Sequence, residues 1–283
     1  MSKINFPSAA TGTAAAQPAD ETLRLSHRHR SFSSFRAIGA LILREMSTTN
    51  GRSAGGYLWA IAEPVGGIVL LTLVFSLVMA KPPIGTNFPI FYATGMIPFL
   101  FYMSISGKVA QSIQYSKTLL AYPAVTFMDA LLARMIMNGI TQMLVAYLIF
   151  AALLMFQETR TDPQAEGIAL SLFMAFAFGA AVGVVNCFLN EAFPSWQQIW
   201  AILNRPLFLI SCVLFVYDDI PKPFADYLWY NPLVHIIGQM RKSFYPSYAG
   251  DYVSPAYVLG VSLLVYALGL ALLIRYHRDL QNS

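Results

Sequence analysis

Six runs of about twenty apolar residues each, at 57–80, 88–106, 131–156, 168–189, 196–217 and 256–274, leave this chain few ways to fold. Each has the length at which an α-helix crosses the hydrocarbon of a bilayer. Backbone polar groups in that medium must be satisfied inside the spanning structure, which restricts the choice to helices or a closed barrel. Uninterrupted apolar runs, without period-two alternation, exclude the barrel. Composition agrees: 57% of the 283 residues are hydrophobic and 11% are charged, against about 25% charged in soluble domains. The expected fold is an all-α integral membrane bundle of six transmembrane helices, occupying 56–283.

An even number of crossings puts both termini on one side. Lys3, Arg24, Arg28, Arg30, Arg36, Arg44, Arg52, Lys108, Lys117, Arg134, Arg275 and Arg278 fall on the terminal side, whereas Lys81, Arg160, Lys222, Arg241 and Lys242 fall opposite. The positive-inside rule then predicts cytoplasmic termini in a multi-pass protein. The pI near 9.0 follows from this asymmetry beside anionic lipid and calls for no nucleic-acid partner.

Residues 1–31, rich in Ala, Ser, Thr and Pro at their start, lack the continuous apolar core and cleavage site of a secretory signal and are expected to form a disordered cytosolic tail. Within 32–55, Phe35, Ile38, Leu41, Ile42 and Met46 recur at helical spacing, which predicts an amphipathic helix in the interface plane. Cys187 and Cys212 lie inside predicted spans at unrelated depths and read as packing residues, with no metal site.

Three features carry functional meaning. Arg205, followed by Pro206, falls about 13–14 Å along the fifth run at 1.5 Å per residue, near the bilayer midplane. A cation there is costly, so it faces a cavity, a partner or a substrate. Its permanently charged, bidentate guanidinium suits a carboxylate or phosphate; pairing with Glu63 at the start of the first run, or snorkelling, are the alternatives. Second, Phe88, Tyr92, Phe99 and Tyr102 recur on one face of the second run and read either as a wall for stacking sugar rings or as packing between helices. Third, 107–134 is too long and amphipathic for a simple connection. In 218–255, Asn231 and Pro232 mark a helix start ahead of an apolar face of Leu233, Val234, Ile236, Ile237 and Met240.

Arg52-Ser53 with Gly56-Tyr57-Leu58-Trp59-Ala60 and Glu63-Pro64 resembles the entry to the first span of permease subunits in type 2 ABC exporters of bacterial polysaccharides. So do Leu119-Leu120 with Pro123, Val125, Asp129 and Leu131-Leu132-Ala133-Arg134, then Arg205-Pro206-Leu207 leading to Leu214-Phe215, then Trp229-Tyr230-Asn231-Pro232-Leu233-Val234-His235 ending in Arg241-Lys242-Ser243-Phe244. Together, from Phe32 onward, they look like a capsule polysaccharide export permease, with O-antigen and teichoic-acid exporters as the alternatives. The resemblance implies a cytosolic coupling helix over 112–125 that docks on an ATPase subunit through Gln111, Tyr115, Lys117, Leu120, Tyr122 and Pro123. It also implies short periplasmic gate helices within 218–255. The substrate pathway is expected to involve Arg205, Trp200 and Phe208 on the fifth span, the aromatic stripe of the second, and His235.

No nucleotide site is expected in this chain, because Ser106-Gly107-Lys108 lacks the upstream glycine of a Walker loop and Val109 stands at its Ser/Thr position. ATP and Mg would belong to two partner ATPase subunits. One copy of six helices encloses little space, so a lumen for an anionic, lipid-linked glycan calls for a homodimer, with a periplasmic adaptor carrying the product onward. A membrane enzyme acting on lipid-linked sugars is the competing class. His27, His29, His235 and His277 are scattered, however, no carboxylate pair shares a depth, and Glu63 and Arg205 are the charges assigned to the spans. A secondary transporter would show internal repeats, and none is found.

Overall fold

The computed structural model describes residues 33–45, 56–120, 126–157 and 161–281, all of them within one unit, Phe32–Ser283. The expected tail, 46–55 of the interface segment, and Tyr122 and Pro123 lie outside these residues. Among the described residues there is no strand; ten α-helices follow one another. They are α1 (Ser33–Glu45), α2 (Gly56–Val78), α3 (Phe88–Ala110), α4 (Ser112–Leu120), α5 (Phe127–Phe156), α6 (Ala165–Ala192), α7 (Trp196–Ile210), α8 (Phe224–Leu228), α9 (Pro232–Phe244) and α10 (Pro255–Gln281). Five of them, α2, α3, α5, α6 and α10, contain stretches long and apolar enough to cross a membrane.

Local chemistry sets several boundaries. α5 opens four residues before the predicted run because Thr126 and Asp129 form a reciprocal capping box: Thr126 Oγ1 accepts from the Asp129 amide at 3.2 Å, and Asp129 Oδ2 accepts from the Thr126 amide at 3.0 Å. This start places Arg134 two turns inside α5, whereas the sequence put it at the edge shared by the run 131–156 and the segment 107–134. At α9 the Asn231 carboxamide oxygen accepts from the Leu233 amide at 3.1 Å, with Pro232 as the first helical residue.

The predicted fifth run is corrected as well. α7 has 15 residues, about 22 Å at 1.5 Å per residue, short of the roughly 30 Å of hydrocarbon. It ends where Ser211 Oγ donates back to the Leu207 carbonyl at 2.5 Å and Cys212 adopts a left-handed φ of 59°. Beyond that point the chain enters the interior, with Ser211, Cys212, Val213 and Val216 all buried.

α6 is the central helix, packed against α3, α9 and α10, while α3 also receives α2, α5 and α9. Lipid is as apolar as leucine, so close backbone approach rather than solvent exclusion holds such helices together. Gly179 and Gly183 of α6 supply that approach: a Cβ at Gly183 would stand 2.7 Å from Val109 Cβ and 3.0 Å from the Ser106 carbonyl of α3. α9 buries the face expected of it, with Leu233, Val234, Ile236, Ile237 and Met240 fully enclosed. α7 contrasts with all of these, for none of its residues is buried.

Candidate functional site

Two polar centres lie near opposite ends of α3, at Phe91 and Lys108, about 26 Å apart along the helix at 1.5 Å per residue. At the first, Arg241 of α9 is fully buried. Its Nη1 donates to the Phe215 carbonyl at 2.7 Å and its Nη2 to the Val213 carbonyl at 2.9 Å, and the guanidinium lies 4.5 Å from the centre of the Phe91 ring. Arg241 thereby satisfies the backbone of the irregular segment that follows α7, a requirement wherever non-helical chain runs through an apolar interior. Gly95 keeps the approach open, since a Cβ there would stand 2.8 Å from the Val213 carbonyl.

His235 belongs to the same end and is also fully enclosed. The Ser254 amide donates to its Nδ1 at 3.2 Å, so Nε2 carries the proton and donates to the Trp229 carbonyl at 2.7 Å. Burial depresses its pKa below the ordinary 6.5, opposed by backbone hydrogen bonds at Trp229 and Tyr252. The unfolded chain therefore takes up a proton at higher pH than the folded one, and stability held above pH of about 6.5 is lost as the pH falls below it. Thermal unfolding of the purified protein between pH 8 and pH 5 should show a falling Tm that a His235→Gln variant, less stable at neutral pH, does not share.

At the other end Arg134 of α5 is 4% exposed. Its Nη1 donates to the Lys108 carbonyl at 3.0 Å, and its Nε faces Glu45 Oε1 at 3.2 Å, an ion pair without hydrogen-bond alignment. The guanidinium stands 4.0 Å from the centre of the Tyr115 ring in α4. Of the residues expected to couple to an ATPase, Gln111 follows the last turn of α3 half-buried, while Tyr115 and Lys117 are exposed along α4 and Leu120 ends that helix.

Placement along the expected pathway is divided. Tyr92, Phe99 and Tyr102 are buried inside the chain, at 0%, 4% and 1% exposure, and Phe88, half-buried, stacks on Tyr92 with ring centres 6.4 Å apart. Their regular spacing on α3 reflects interior packing, and His235 is interior too. On α7, Arg205 is exposed, Trp200 is half-buried and stacked on Trp196 at 6.2 Å, and Phe208 meets Phe99 edge-on at 5.3 Å. Among the described residues the ion pair is Glu45–Arg134, so Arg205 does not reach Glu63 within the chain. No cluster of metal-ligating side chains occurs among the described residues.

Sequence reasoning missed the roles of Arg134, Glu45 and Arg241. A cation two turns into an apolar helix and another amid the apolar face of α9 were the available signals.

The family model for the ABC-2 type transporter matches residues 36–245, from α1 through α9. The chain belongs to the ABC-2 type transporter family. Both polar centres and the exposed α7 fall within the matched stretch of this ABC-2 chain. Among its relatives, the polysialic acid transport protein KpsM of Escherichia coli is 32% identical over 83% of this chain and 91% of its own length. The capsule polysaccharide export inner-membrane protein CtrC of Neisseria meningitidis serogroup B is 27% identical over 87% of this chain and 93% of its own. The capsule polysaccharide export inner-membrane protein BexB of Haemophilus influenzae is 22% identical over the same shares of each.

Proposed function

We propose that this chain is the membrane-spanning subunit of an ATP-driven exporter that moves an anionic, lipid-linked capsular polysaccharide from the cytoplasm to the periplasm. The observation that carries the reading is similarity, along more than four-fifths of the chain, to a polysialic acid transport protein and to a capsule polysaccharide export protein. ATP and Mg are bound by two partner ATPase subunits that press on α4 through Tyr115 and Lys117. Both termini face the cytoplasm of the inner membrane, and α7 together with the segment to Val216 makes the fifth of six crossings. α8 and α9 lie at the periplasmic face, where an adaptor protein receives the glycan.

The exposed face of α7 supports a homodimer whose lumen lies beside that helix. Ile199, Ile202, Leu203, Leu209 and Ile210 are each at least 45% exposed there, with Arg205 between them. In this arrangement the Arg205 guanidinium holds a carboxylate or phosphate of the passing glycan. Arg205→Lys keeps the charge and loses the two-pronged geometry. A hydrogen bond to a charged group contributes about 1.5–3 kcal/mol, so export is expected to fall roughly tenfold or more. Surface polysaccharide, normalised to the amount of membrane protein, measures this; wild-type export would remove Arg205 from the pathway.

Co-purification tests the whole reading. The tagged chain should bring down an ATP-hydrolysing subunit in equal amount, and cells lacking it should lose surface polysaccharide while glycan collects in the cytoplasm. A chain that alone modifies a lipid-linked sugar would overturn it.

A further inference from the structure

Four helices converge on the Arg134 side chain. Arg134 rises from α5, its Nη1 bonds the Lys108 carbonyl in the last turn of α3, its Nε faces Glu45 at the end of α1, and its plane covers Tyr115 of α4. The side chains of the ion pair are 5% and 8% exposed. A planar guanidinium offers edges to a carbonyl and a carboxylate while its face lies on a ring, an arrangement that an ammonium group cannot reproduce. Arg44 of α1 also lies 5.8 Å from the centre of the Tyr115 ring, so α1 meets α4 through more than one side chain.

Separating these helices singly would leave a buried charge without its partner, which strongly disfavours piecemeal movement. α1 packs against α5, and α4 packs against the same helix. Displacement of any one of the three is therefore carried to the others through the shared cation.

We propose that Arg134 is the positioning residue through which displacement of α4 by the ATPase subunit passes to α1, α3 and α5 as a single step. The inference rests on the reading of α4 as the ATPase contact. Arg134 touches neither nucleotide nor glycan; it makes the amphipathic helix and the spanning helices follow the nucleotide cycle together.

The test uses the full complex of this chain with its ATPase subunit. Arg134→Gln should leave assembly and basal ATP hydrolysis in place and lower export roughly tenfold, within the usual range of coupling between sites. The double variant Glu45→Gln/Arg134→Met leaves neither charge buried and unpaired, so it keeps the fold and should show the same split. Spin labels introduced by Ala40→Cys on α1 and Gln114→Cys on α4 should report one narrow distance with and without ATP in the otherwise wild-type complex. In either variant that distance should broaden when ATP is added. Wild-type export in both variants overturns the proposal. So does a parallel fall of assembly, hydrolysis and export, which would mark a purely structural role. Failure of the wild-type chain to retain an ATPase subunit overturns the functional reading first, and this inference with it.

Discussion

Arg241→Leu is expected to abolish export and to lower both the yield and the Tm of the purified protein. The buried carbonyl of Val213 and the part-buried carbonyl of Phe215 both lose the donor that Arg241 supplies. Each orphaned group costs about 1–3 kcal/mol, and loss of the contact over Phe91 adds up to about 2 kcal/mol. Removing a desolvated charge returns part of this. The net loss remains a large share of the 5–15 kcal/mol that typically stabilises a folded domain. Arg241→Lys should fall between the two, because one ammonium cannot span both carbonyls in the plane of the native fork. Lys242, the exposed neighbour, serves as the control, and Lys242→Leu should leave Tm unchanged. Thermal unfolding followed by fluorescence-detected size exclusion reads all three; a stable, exporting Arg241→Leu protein would refute this account of the segment after α7.

Gly183→Val is expected to fail to accumulate in the membrane. The first added carbon already meets Val109 Cβ at 2.7 Å and the Ser106 carbonyl at 3.0 Å, and the second of these is backbone that cannot rotate away. Gly179, one turn earlier on α6, is nearly as tight, with a Cβ there 3.1 Å from the Tyr102 carbonyl. Gly183→Ala should cost about 1–3 kcal/mol through overpacking. The branched valine should cost more, since α3 and α6 must move apart along the seam that organises the bundle. Gly260→Ala is the matching control, because nothing lies within 4 Å of a Cβ at that position. Membrane yield and Tm compared across the three variants provide the measurement.

Much of the bundle was legible because length and apolarity act locally. The runs at 57–80, 88–106, 131–156, 168–189 and 256–274 correspond to α2, α3, α5, α6 and α10, and the Asn231-Pro232 pair opens α9. The end of α7 was not legible, because the residues through Val216 stay apolar while the donors that stabilise the break come from Asn231 and Arg241, far along the chain. Arg134, at the edge of the run 131–156, was counted with the segment 107–134 although Thr126 and Asp129, three apart, already marked an earlier helix start. The spacing of Phe88, Tyr92, Phe99 and Tyr102 established a shared face and nothing about what that face meets; the structure turns it inward. The Gly179-x-x-x-Gly183 spacing was readable as a small-residue contact motif and marks the α3–α6 seam.

Asn231 joins two neighbouring helices through a single side chain. Its amide nitrogen donates to the Ile210 carbonyl at 3.1 Å and to Ser211 Oγ at 3.3 Å, closing α7, while its oxygen opens α9. One carboxamide is thus a knuckle whose two sides turn together. Tilting α7 pulls on the first turn of α9, and a shift that began at the exposed helix would be geared directly to the enclosed one.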